Sequence, residues 1–152
     1  MNRQAARAKR LQRIERIGDA IARASEATWL QRRSELQEQR DRLSTVAGYC
    51  GDYARRTTDI EARGTDILSL RLYRDFSGWL STVQNDQTNA VAQAEFLADA
   101  AADEASAKRT FARSLEQAAT RAATIARQEL ARVEQKQLDA LGRPMRSDAQ
   151  QD

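Results

Sequence analysis

Apolar positions recur at helical spacing from near the start of the chain. Leu11, Ile14, Ile17 or Gly18, Ile21 and Ser25 step by three and four, and Trp29, Leu36, Leu43, Cys50 and Thr57 then recur every seven residues. A seven-residue repeat keeps one stripe of a helix against a partner helix, so this region is expected to be one arm of a coiled coil. Val46, Ala47, Tyr53 and Ala54 supply the second row, and polar Gln39 and Arg40 fall where that row passes. Between Ile21 and Trp29 the steps are four and four, which reads as a stutter that shifts the heptad phase. No segment alternates with the period of a strand.

The helical pattern breaks between Thr57 and Leu70. Gly64 suits a helix end, and Thr65-Asp66 offers a cap for a new start, with Ser69 as a rival. A second row follows through Phe76, Trp79 or Leu80, Val83, Gln87, Ala90 or Val91, Ala94, Leu97 or Ala98 and Ala101, with Phe96 beside it. It runs on through Phe111, Leu115, Ala118, Ala122, Ile125, Leu130 and Val133, and Gly142 and Pro144 are expected to end it. The expected fold class is all-α: a long two-helix antiparallel coiled-coil hairpin with frayed ends, forming a single domain. Its first arm spans about 3–57, the connection about 58–69, the second arm about 70–141, and a polar tail 142–152.

Antiparallel pairing can be tested by arithmetic, because facing residues have numbers with a constant sum. A turn centred near Asp66 sets that sum near 132. Tyr53 then faces Trp79, Tyr49 faces Val83, Leu36 faces Phe96, Ile21 faces Phe111, Ile17 faces Leu115 and Ile14 faces Ala118. Leu43 meets Asn89 and Trp29 meets Asp103, which do not fit. The same arithmetic leaves the last dozen or so residues of the second arm without a facing arm.

Composition narrows the chemistry. The 152 residues contain no His, one Cys and one Pro, with 31 % charged residues. Without His there is no imidazole acid/base, no Ser-His or Cys-His nucleophile and no His-ligated metal. A single cysteine forms no internal disulfide and no multi-cysteine zinc site, and Cys50 is expected to be a small seam residue. No phosphate-binding glycine loop occurs. An enzyme, a cofactor and a metal site are therefore not expected. No apolar run approaches the roughly 18 residues of a membrane span. Net charge is +3, and the surplus is concentrated at Arg3, Arg7, Lys9, Arg10, Arg13 and Arg16 against Glu15 alone. That segment suits an anionic surface, whether phosphate, membrane or acidic protein, or simply a solvated face. No zinc finger, RNA-recognition motif or long basic region supports nucleic-acid binding. Five of the eight aromatic residues (Tyr49, Tyr53, Tyr73, Phe76 and Trp79) crowd around the turn together with Gly48, Gly51 and Gly78. Large rings beside glycines suit a shallow docking patch, or else a wider end of the coil.

The order of these features resembles the FliJ/YscO (SctO) family of central stalk proteins of flagellar and injectisome type III secretion. The likeness lies in Leu43-x-x-Val46-x-x-Tyr49-x-x-x-Tyr53 on the first arm and in Leu72-Tyr73-Arg74-Asp75-Phe76-Ser77-Gly78-Trp79-Leu80-Ser81-Thr82-Val83 on the second. The resemblance implies a non-enzymatic coupling protein between the cytosolic export ATPase ring and the cytoplasmic domain of the export gate protein, with export chaperones as further candidate partners. It implies a cytoplasmic protein, peripheral at the inner-membrane secretion apparatus, and a monomer. By position, it implies gate docking by Val46, Tyr49, Tyr53, Trp79 and Val83, and ring contact by Arg7, Arg10, Arg13 and Arg16. A generic coiled-coil scaffold or dimerisation module is the alternative.

Overall fold

The computed structural model describes residues 2–143, and places them in two α-helices, α1 (Arg3–Arg63) and α2 (Ile67–Gly142). Asn2 caps α1, its Oδ1 accepting a hydrogen bond from the Gln4 backbone N–H at 3.0 Å. The connection, expected over about 58–69, is only Gly64, Thr65 and Asp66. Gly64 has φ +73°, a left-handed conformation that ends α1 without a Cβ penalty. Asp66 then caps α2, with Oδ1 accepting from the Leu68 N–H at 3.4 Å and its carbonyl from the Leu70 N–H at 3.1 Å. Both helices therefore continue closer to the turn than the polar stretch suggests, because one glycine and one cap suffice to reverse the chain. Residues 144–152, including Pro144 and most of the expected polar tail, lie outside the described residues.

The seam is a regular heptad in both helices. In α1 the buried and half-buried path runs Ala8, Leu11, Glu15, Gly18, Ala22, Ser25, Trp29 and on by alternating steps of three and four to Ile60. No stutter interrupts it. The expectation of one followed the bulkiest residues, Ile14, Ile17 and Ile21, whereas the structure buries their smaller neighbours and leaves all three exposed. In α2 the path runs Leu70, Tyr73, Ser77, Leu80 and on with the same steps to Glu129. Eight positions on it are alanines (94, 98, 101, 105, 112, 119, 122 and 126). Side-chain size at the contact sets the spacing of packed helices, so an alanine seam draws them together.

The chain packs as two compact units: a turn unit, Arg23–Ala107, and a terminal unit comprising residues up to Ala22 and from Lys108 onward. In the turn unit the cross-helix partners are Arg40 with Glu95 (2.9 Å), Glu61 with Arg74 (2.8 Å), Gln39 with Gln87 (2.7 Å) and Cys50 Sγ with the Leu80 carbonyl (3.6 Å). Their residue numbers sum to 135, 135, 126 and 130, bracketing the value of 132 expected for antiparallel helices. Gln39, a polar residue on the seam, is accommodated because its Oε1 and its backbone carbonyl both accept hydrogen bonds from Gln87 Nε2, at 2.7 and 3.0 Å. Cys50 sits on the seam, as its spacing suggests. Phe96 lies outside it, 72 % exposed, so it does not pack against Leu36 as expected.

In the terminal unit, Gly18 is buried on the seam against α2. A Cβ built there would lie 2.5 Å from Leu115 Cδ1 and 4.0 Å from the Ala112 backbone. Leu115 thus faces Gly18, one residue from the expected Ile17. All residues from Leu130 to Arg143 are exposed, in keeping with an α2 that outruns its partner.

The regular seam makes a specific prediction. Gly18→Val should destabilise the fold by about 1–3 kcal/mol through overpacking against the Leu115 side chain. The exposed neighbour change Ile17→Gln should stay within about 0.5 kcal/mol. Urea unfolding followed by circular dichroism checks both, and equal costs would contradict the assigned seam.

Candidate docking surfaces

The heptad gives each helix two flanks beside the seam, at positions e and g. Antiparallel pairing sets e against e and g against g. In the turn unit the e flank carries the ion pairs Arg40–Glu95 and Glu61–Arg74. The g flank instead carries Tyr49 from α1 and Phe76, Val83, Ala90 and Leu97 from α2. The g flank also carries Glu35, Arg42 and Arg56 on α1, so its apolar part is α2 from Phe76 to Leu97 together with Tyr49.

Aromatic rings organise the g flank near the turn. Tyr53, a half-buried seam residue, lies 6.4 Å from Tyr73 and 4.5 Å from Phe76 between ring centroids, and Phe76 lies 5.5 Å from Trp79. These tilted arrangements and spacings fall in the favourable range for aromatic pairs. The row leads outward from the seam to Trp79, 58 % exposed, while Tyr49 on the facing helix is 55 % exposed. Gly48, Gly51 and Gly78 have open space where a Cβ would project, so no internal packing requires them. On the heptad Gly48 is at position f and Gly51 and Gly78 are at position b, away from the g flank that carries the exposed rings. Among the described residues no group of three or more Cys, Asp or Glu side chains is placed to hold a metal ion.

The model of the flagellar FliJ protein family matches residues 3–143, nearly the whole chain and all but one of its described residues. The chain belongs to the FliJ family. No curated protein and no solved structure matches it. Membership makes it a component of the flagellar export machinery, and it accords with the helical hairpin found here. No helix among the described residues is long and apolar enough to cross a membrane.

With the family in hand, the ten aromatic, aliphatic and basic positions of interest fall into distinct settings. Tyr49, Trp79 and Val83 occupy the apolar side of the turn unit, whereas Val46 and Tyr53 are seam residues that support it from beneath. Phe76 joins Tyr53 to Trp79 and is not one of the docking residues that the resemblance implies. The exposed arginines of the FliJ-family terminal unit are not brought together: Arg7 is at position g and Arg10 at position c beside it, while Arg13 and Arg16 point to the outer and opposite sides. Their spacing alone did not reveal this, because the true heptad phase is needed to separate them.

The three glycines give a measurable consequence. Replacing Gly48, Gly51 and Gly78 together by Ala should stabilise this FliJ-family protein by up to about 1 kcal/mol per site, since alanine is the better helix former and meets no neighbour. Thermal unfolding reads this directly, and a lowered Tm would show that the glycines serve the isolated fold.

Proposed function

We propose that this protein is a non-enzymatic central stalk of the flagellar type III export apparatus, coupling the cytosolic export ATPase ring to the cytoplasmic domain of the membrane export gate protein. The observation that carries the reading is the aromatic surface of the turn unit, in a chain whose family works in flagellar export. Tyr49 and Trp79 are large anchors held on a rigid helical pair, with Phe76, Tyr53 and Val46 beneath or beside them and Val83 completing the apolar edge. Interfaces draw most of their affinity from a few such residues, and preorganised rings lose little freedom on binding. The turn unit is the gate-docking element. The terminal unit, with Arg7, Arg10, Arg13 and Arg16, is the ring-engaging element. The working form is a monomer in the cytoplasm, peripheral at the inner-membrane apparatus.

Adding the protein to the export ATPase of the same genome should raise hydrolysis and ring formation at near-stoichiometric amounts. Removing the basic N-terminal segment should abolish that effect. No binding and no stimulation of an active ATPase would leave a coiled-coil scaffold instead. Separately, Tyr49→Ala with Trp79→Ala should weaken binding to the gate domain by about thirtyfold or more, the loss of at least one hot-spot anchor of about 2 kcal/mol. Helicity and ATPase binding should be unchanged, and parallel loss of all three would make these rings core residues.

A further inference from the structure

The terminal unit also has two unlike sides. On the e side a shallow groove is lined by Ala5, Ala8, Ala119 and Ala123, with Lys9 and Glu15 at its edge. The g side instead presents Ile14, Ile17 and Ile21 from α1, and Phe111 and Ile125 from α2. Each is 44–61 % exposed, although all are large and apolar. The seam beside them is filled by Leu11, Gly18, Ala112, Leu115, Ala119 and Ala122, and these five residues lie outside it.

Charge on that side has a single sign. Going along α1, the outward g and c positions read Arg3, Arg7, Arg10, Ile14, Ile17 and Ile21. On α2 the same positions from Phe111 to Gln135 add Arg121 and Arg132. No Asp or Glu occupies any of them; Asp19 and Glu116 are at e positions and Glu15 is on the seam. A face of protruding aliphatic side chains set among arginines, without a carboxylate, is complementary to a phosphate-rich layer over hydrocarbon.

We infer that this face of the terminal unit binds the surface of an anionic phospholipid membrane. Ile14, Ile17, Ile21, Phe111 and Ile125 enter the boundary between headgroups and acyl chains, at the depth of about 5–10 Å typical of interfacial helices. Arg7 and Arg10, with Arg121 and Arg132, pair with lipid phosphates, which guanidinium groups bind in a forked geometry. A lipid layer accommodates a convex row of side chains along two helices without a matching groove, and the repeated arginines meet a uniform charge. The inference does not depend on the stalk reading, since the binding requires neither ATPase nor gate; because it uses the Arg7 and Arg10 of the proposed ring contact, membrane and ring binding exclude one another. It supplies a physical means for a protein without a membrane-spanning helix to remain at a membrane.

The test uses the full chain and sedimentation with phosphatidylcholine vesicles, with or without phosphatidylglycerol. Binding should require phosphatidylglycerol and weaken as salt is raised. Arg7→Gln with Arg10→Gln should weaken it by about thirtyfold, from about fivefold per arginine at an anionic surface. Ile14→Gln with Ile17→Gln and Ile21→Gln should abolish it while circular dichroism shows the helices retained. Arg13→Gln with Arg16→Gln, carrying the same charge change on other sides, should have a much smaller effect. Absence of binding to phosphatidylglycerol vesicles at low salt overturns the inference. Equal loss in both arginine pairs also overturns it, because diffuse charge would then suffice. Stronger binding to polyglutamate than to vesicles, with the same dependence on the isoleucines, would assign the face to an acidic protein.

Discussion

The alanine seam is the constraint from which the other features follow. Two helices held by residues as small as Gly18, Ala98, Ala105 and Ala119 approach closely, and little volume remains between them. In the terminal unit Leu115 takes the space opposite Gly18, and the larger Ile14, Ile17 and Ile21 lie beside the seam. Buried apolar area per residue is correspondingly low, and stability depends on close backbone approach and dispersion contacts more than on a broad core. In the terminal unit that packing leaves Ile14, Ile17 and Ile21 on the surface.

The residues beside the seam are sorted by the heptad. In the turn unit, position e carries Arg40, Glu61, Arg74 and Glu95, paired across the helices, while position g carries Tyr49, Phe76, Val83 and Leu97. Surface ion pairs of this kind contribute little stability, about 0–1 kcal/mol each, but opposite charges at facing positions favour one register over its neighbours. The division of labour is thus that e-position charges help fix alignment, seam alanines set spacing, and the apolar g positions of α2 with Tyr49 remain available for partners. On α2, apolar residues at a, d and most g positions give a stripe wider than a two-helix seam needs, which is the pattern of a helix with more than one neighbour.

The helical class, the antiparallel register and the neighbourhood of the turn were legible in the sequence, because each rests on a repeated signal. Trp29, Leu36, Leu43, Cys50 and Thr57 mark one row over four heptads, and the Gly64–Asp66 punctuation centres the reversal. The phase near the N-terminus was not legible by the same means. Ranking positions by size favours Ile14, Ile17 and Ile21, yet packing favours Gly18 and Ala22, since the facing helix leaves room only for small residues there. The aromatic surface was half legible. Five rings near one end could be counted, but the path from Tyr53 through Phe76 to Trp79 required knowing which rings lie on the seam and which beside it.

The corrected phase also changes how the basic segment should be understood. Six cations within sixteen residues look like one undivided patch, and a charge count treats them as equivalent. On the helix they are not, because Arg7 and Arg10 adjoin the exposed isoleucines whereas Arg13 and Arg16 are turned away from them. Electrostatic attraction at long range depends on the total and is screened by salt over about 10 Å, whereas affinity at contact depends on which cations share a face with apolar area. A partner or surface drawn by all six is therefore gripped by only some of them. Which cations those are is decided by a glycine and an alanine in the seam.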